Sequence, residues 1–124
     1  MIDFKNGALF KLERDKSPKI GAVADLLIEG ETVLGSYTAL RDYVVFTNKR
    51  IIAVNVQGIT GKKKDYTSLP YSKVQAFSVE TAGVIDLDSE LELYFSSLGK
   101  VKFDFAGDAN IKAISQAIAA YALE

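Results

Sequence analysis

Three sets of charged residues lie close enough along the chain to suggest chemistry. The first is Lys62, Lys63 and Lys64 in "QGITGKKKDY", residues 57–66. Lysine beside glycine grips phosphate when a loop of the form Gly, four residues, Gly-Lys-Ser/Thr opens a helix. Here Val56 stands where the first glycine is required, Lys63 replaces the Ser/Thr, and a strand-like segment follows. What remains is a glycine-rich turn with solvated lysines, a candidate contact for an anion or a partner. The second set is the alternation Asp86, Asp88, Glu90, Glu92. Period two puts these carboxylates on one face of a strand. Paired carboxylates can do acid–base work or hold Ca²⁺, but a straight row does not converge on one point as a cation requires. The simpler reading is a solvent face that discourages edge pairing, and one that can serve as an acidic docking strip. The third set is Arg41, Arg50 and Glu80, from which an arginine and the glutamate form a candidate structural ion pair.

The rest of the inventory removes whole classes of chemistry. There is no cysteine and no histidine among the 124 residues. Disulfides, thiol chemistry and His- or Cys-ligated metals are excluded. The serines have no imidazole to activate them. The chain is therefore read as non-enzymatic, with no catalytic residue, no metal and no cofactor. Net charge is −1, which argues against a nucleic-acid partner. The charge is uneven, however: residues 44–64 hold five bases and no acid, which leaves −6 elsewhere. The N-terminus lacks a basic start followed by an apolar core, so no secretory signal is expected. No apolar run approaches 18 residues, so no membrane span is expected and the cytoplasm is the expected location.

The elements that would position these groups form one domain over 1–124. Residues 1–16 are mixed in character and are expected to be loosely ordered. "SPKIGAVADLLIEGE" predicts a short helix over 17–29, with Ser17 as N-cap, Pro18 in the first turn and Ile20, Val23, Ala24 and Leu27 on one apolar face. Seven strands are predicted at 31–40, 42–47, 50–57, 63–69, 73–80, 87–96 and 100–105, forming a barrel or sandwich over 31–105. A loop Ser97-Leu98-Gly99 would set Tyr94 opposite Lys102. A second amphipathic helix is predicted over 108–123, capped by Asp108, with Ile111, Ile114 and Ile118 on its apolar face.

The hairpin 42–57 is apolar on both sides. A turn at Asn48-Lys49 pairs Val45 with Ile52 and Phe46 with Ile51. Val45, Ile52, Val54 and Val56 then share one side, and Val44, Phe46, Ile51 and Ala53 the other. Only one side of a small barrel wall faces inward; the other needs cover. The helix over 17–29 could supply it, and so could another subunit. Val44, Phe46, Ile51 and Ala53 are the candidate oligomer interface.

Several motifs in one order resemble the bacterial pleckstrin-homology (PH) family: Arg41-Asp42, Phe46-Thr47-Asn48-Lys49-Arg50, Gly58 with Gly61-Lys62-Lys63, Pro70-Tyr71, and Glu80-Thr81-Ala82-Gly83. The resemblance implies a mainly β PH-like barrel of seven antiparallel strands, with a C-terminal helix closing one end. It also implies assembly as a ring of identical subunits, which would favour a neighbouring subunit as the hairpin's cover. PH domains that bind phosphoinositides use basic residues between the first two strands. Here that connection is "LRD", a lone arginine followed by an acid, so no specific phosphoinositide binding is expected. The reading is a self-associating binding or scaffolding module that recognises an unidentified protein partner. The alternative is contact with a membrane surface or anionic ligand through Lys62–Lys64.

Overall fold

The computed structural model describes residues 1–4, 11–15, 20–107 and 109–124. The caps expected at Ser17, Pro18 and Asp108 lie outside the described residues. Among the described residues eight strands are present: β1 (Lys11–Arg14), β2 (Val33–Ala39), β3 (Asp42–Thr47), β4 (Arg50–Gln57), β5 (Lys63–Pro70), β6 (Ala76–Glu80), β7 (Ser89–Phe95) and β8 (Gly99–Phe105). They form one sheet in the order β5-β4-β3-β2-β1-β8-β7-β6. Seven of the eight match the predicted strands. The eighth, β1, lies in the segment expected to be loose. Its four residues bury only Leu12, so no alternation betrays it. β1 is nonetheless the seam of the sheet. It pairs antiparallel with β2, Glu13 opposite Thr38, and parallel with β8, Leu12 opposite Phe105.

The wall curls around an interior of Tyr37, Val44, Phe46, Ile51, Leu91, Leu93, Phe103 and Phe105. Its aromatic rings meet edge to face, Tyr37 with Phe46 at 5.7 Å and Phe46 with Phe103 at 5.8 Å between centroids. Such pairs add about 0.5–1.5 kcal/mol each beyond area burial. The C-terminal helix α2 (Ile111–Ala122) packs on the 3₁₀ turn Tyr71–Lys73 and on β3 and β6. It sends Ile114 and Ile118 into the interior, where burial of each stabilises by about 1.5–3 kcal/mol.

The hairpin β3–β4 has the predicted register, Val45 opposite Ile52 and Phe46 opposite Ile51. The sides are reversed from expectation. Val44, Phe46, Ile51 and Ala53, the candidate oligomer interface, belong to the interior and are buried by their own chain. Alternation fixes which residues share a side but cannot say which of two apolar sides faces in. The outer side is Tyr43, Val45, Ile52 and Val54, and Val23 of the chain's own N-terminal helix and Leu27 just after it cover it. That helix ends sooner than predicted: its described part, α1, runs Ile20–Val23 and continues as a 3₁₀ turn, Ala24–Leu26. The amide of Ile28, which would extend it, donates instead to Glu31 Oε1 at 3.1 Å.

In β7–β8, Phe95 pairs with Gly99, so the connection is 96–98 and Tyr94 lies opposite Lys100, with Glu92 opposite Lys102. Gly99 has φ +86°, the left-handed conformation that favours glycine.

Candidate functional site

One end of the wall gathers cations around two bare apolar tips. The β2–β3 turn is only Leu40-Arg41. Leu40 sits at φ +54°, where a leucine is strained, and is fully exposed at 103%. Arg41 Nη2 donates to the carbonyl of Gly58, which ties this turn to the β4–β5 loop. At the crest of that loop Ile59 is 104% exposed. Gly61, at φ +68°, lets the chain reverse there; a Cβ would stand 3.2 Å from Val56 Cγ1. Lys62, Lys63 and Lys64 all face solvent, the last two within β5 opposite Gln57 and Val56. Among the described residues none of the three has a carboxylate within ion-pair distance. Between the loops lies a cleft of about 420 Å³ lined by Arg41, Tyr43, Val56, Ile59, Gly61 and Lys64. Burial, with Tyr66 beside it, pushes the Tyr43 phenol up to about 12.

The acidic strip lies across β6, β7 and β8. Glu90 and Glu92 point outward from β7, Asp88 precedes it, and Asp86 stands in the β6–β7 loop. The cross-strand register adds what a single strand could not show: Glu80 opposite Glu90, Glu90 opposite Asp104, and Asp104 opposite Lys11. Lys102 pairs with Glu90 at 3.1 Å and Lys11 with Asp88 at 2.7 Å. Burial and the neighbouring Glu90 raise the Asp104 carboxyl, against the pull of Lys102. Glu90 goes the other way: burial would raise it, but hydrogen bonding and charge from Lys102 leave it lowered. Among the described residues these carboxylates are not arranged to ligate a metal ion.

The loop beside the strip carries its own apolar tip. Val84 is 98% and Ile85 96% exposed. A backbone bond from Gly83 N to Asp86 O (2.6 Å) fixes the turn. The amides of Asp88 and Gly107 donate to the Asp86 and Asp88 carboxylates at 3.0 and 3.1 Å. The acid row therefore also builds the loop.

The structural ion pair has a different acid from the one expected. Arg50 binds Glu31, with Nε to Oε2 at 2.9 Å and Nη2 to Oε1 at 3.0 Å. Thr47 Oγ1 donates to the same carboxylate at 2.7 Å. Burial raises Glu31, but these bonds, the Ile28 amide and the Arg50 charge outweigh it and leave the carboxyl lowered. Arg41 is engaged with Gly58, and Glu80 is exposed opposite Glu90. Glu31 follows a turn glycine at the very start of the predicted strand 31–40, where spacing gave no hint of its role. Leu40 and Ile59 were equally silent: Leu40 reads as the last residue of the predicted strand 31–40, although β2 ends at Ala39, and Ile59 lies in a loop with no pattern to break.

A sequence profile of the bacterial PH domain matches residues 3–122. The chain belongs to the bacterial PH domain family. An uncharacterized protein of Bacillus subtilis strain 168, YjqA, is 47% identical over 100 residues, which is 79% of this chain and 80% of that one. A solved PH-domain protein of the DUF1696 family from Shewanella loihica PV-4 superposes with a TM-score of 0.67 at 35% identity, covering 83% of this chain and 89% of that one. A PH domain from Shewanella amazonensis SB2B gives 0.58 at 37% identity, covering 85% and 86%. In this PH barrel the Leu40-Arg41 turn and the 58–62 loop share one end, the helix α2 closes the side near Tyr71, and the acidic loop adjoins the start of α2 through Gly107.

Proposed function

We propose that this chain is a non-enzymatic binding module that associates with copies of itself, as a ring, and presents the assembly to a protein partner in the cytoplasm. One observation carries the reading. The chain has covered both sides of its β3–β4 hairpin from within, yet leaves Leu40, Ile59, Val84 and Ile85 almost wholly in water, two beside cations and two beside carboxylates. Exposed apolar side chains inside charged rims are the usual make-up of an association surface. The chain contains no histidine or cysteine, and no catalytic constellation motivates an enzyme reading. The test is the mass of the full chain in solution by light scattering at micromolar concentration. Assembly gives a multiple of 13.5 kDa; a single 13.5 kDa species removes the reading.

A second reading is favoured by the basic end alone. Leu40 and Ile59 flanked by Arg41 and Lys62–Lys64 are the composition of a surface that touches an anionic bilayer. Three exposed lysines contribute about 1 kcal/mol each near such a surface. Flotation with phosphatidylserine vesicles, with Lys62, Lys63 and Lys64 changed to Gln as the control, tests it. Binding that does not depend on the lysines, or no binding, disposes of it. Among the described residues no helix is long and apolar enough to cross a membrane.

A further inference from the structure

We infer, resting on the reading above of a protein-binding module but not on its self-association, that the edge of β6 is a docking site for an extended segment of a protein partner. The segment adds to the sheet as a further strand, with aliphatic side chains inward and basic side chains outward. Backbone, side chains and charge each point there.

The backbone leaves β6 open. β5 and β6 are the two ends of the sheet, so each has one edge without a strand partner among the described residues. A bare edge invites pairing, and folded chains guard it with lysine, proline, a bulge or a covering segment. β5 has such guards: Lys63, Lys64 and Pro70 lie in it, and the Ile2 amide donates across to Thr67 Oγ1 at 3.2 Å. β6 has no lysine, proline or bulge. Its sequence is Ala-Phe-Ser-Val-Glu, and its register with β7 runs unbroken from Ala76 opposite Tyr94 to Glu80 opposite Glu90. The carboxylates Glu90 and Glu92 stand one strand in, on β7, and only Glu80, at the very end, lies on the edge strand itself. Alternate residues of a paired strand turn their N–H and C=O away from the neighbour, so about four to six backbone groups face outward along β6.

The side chains suit an added strand. Phe77 and Val79 pack on the core, yet both remain only half-buried. The helix α2 packs beside β6, and its Ile111 and Ala117 are half-buried in the same way. Aliphatic side chains on the inward face of an incoming strand complete the cover of Phe77 and Val79. On the outward face Ala76 and Ser78 are small and exposed.

Charge selects the occupant. Ser78 lies opposite Glu92, and Glu80 opposite Glu90. Lys102 holds Glu90 at 3.1 Å, but Lys100 stands 3.9 Å from Glu92, and Glu80 faces solvent. A lysine or arginine beside Ser78 on the added strand reaches over that small side chain to Glu92, and one beside Glu80 meets its carboxylate directly. Opposite charges on neighbouring strands favour pairing and fix its register.

The probe is a fluorescein-labelled peptide, Lys-Val-Lys-Val-Lys-Val-Lys, titrated with the full chain and read by fluorescence anisotropy. Amide hydrogen exchange of the chain locates the contact. Two control peptides replace every Lys by Glu, or keep the side chains and carry an N-methyl group on every backbone amide. The control chain is Ala76→Lys/Ser78→Lys, which arms the edge with cations at two exposed positions; far-UV circular dichroism verifies its fold. The basic peptide should bind saturably and slow exchange over residues 76–80. Both control peptides, and the basic peptide on the control chain, should bind at least about tenfold more weakly. No binding, equal binding of the methylated peptide, or protection confined to other strands overturns the inference. So does a control chain that loses self-association when the unmodified chain binds no peptide, because the edge is then a contact between copies. An unmodified chain of 13.5 kDa that binds the peptide at 76–80 removes the self-association reading and upholds this one.

Discussion

Glu31→Gln is the sharpest test of what holds the β3–β4 turn. The substitution keeps the shape of the side chain and removes its charge. Glu31 has no exposed side-chain surface and receives Arg50 through two nitrogens, the Thr47 hydroxyl and the Ile28 amide. Breaking a buried pair from one side costs about 3–5 kcal/mol. The Arg50 side chain retains 21% exposure, so water absorbs part of its stranded charge. A cost of about 2–3 kcal/mol follows. With a urea slope of about 1.5 kcal/mol per molar, the unfolding midpoint falls by roughly 1.3–2 M. The direction of the pH effect is also fixed. Glu31 is lowered in the folded chain from its ordinary 4.5, so its contribution is complete above the unfolded value and is lost as pH falls through the folded one. The gap between the native chain and the variant should therefore be widest near pH 7 and shrink as pH drops below about 5. Urea melts monitored by tyrosine fluorescence at several pH values supply the measurement. A midpoint shift below about 0.3 M at pH 7, or a gap that stays constant to pH 3, refutes the reasoning.

Two further outcomes are expected. Val23→Asp places a charge against Tyr43, Val45, Ile52 and Val54, so the N-terminal helix detaches and stability falls by about 2–4 kcal/mol, with new binding of a hydrophobic dye; unchanged melting and no dye signal would mean that this helix is not the cover. Leu40→Asn relieves the φ +54° turn and removes an exposed leucine, so stability stays level or rises by up to about 1 kcal/mol while vesicle binding or assembly weakens; a clear loss of stability would show that Leu40 packs on something in the folded chain.

Much of the barrel was legible because β2 to β8 repeat a simple signal, alternation closed off by Gly, Pro, Asn and Asp. The hairpin register followed from the same signal. Its orientation did not, since Val45 and Phe46 are equally apolar and only the packed interior distinguishes them. β1 was hidden because one buried leucine in four residues makes no period. The charged sets were legible as compositions, and their partners were not. Glu80, Glu90, Asp104 and Lys11 become neighbours only through strand pairing, and Arg50 reaches Glu31 across nineteen positions of sequence. Ionic partners are set by three-dimensional proximity, which leaves no periodic trace.

The seam strand has a consequence for how the chain is made. β1 leaves the ribosome well before its parallel partner β8, and Lys11 must wait for Asp104. The hairpins β2–β3, β3–β4, β4–β5 and β7–β8 close over short spans, whereas the seam must overcome the entropy of a loop embracing nearly the whole polypeptide. Until β8 has emerged, the edge of β1 that it will occupy stands open to any passing strand. Slowing translation just ahead of β8, or fusing a bulky partner ahead of Lys11, should therefore lower the yield of native protein far more than the same insult placed within the loop 58–62.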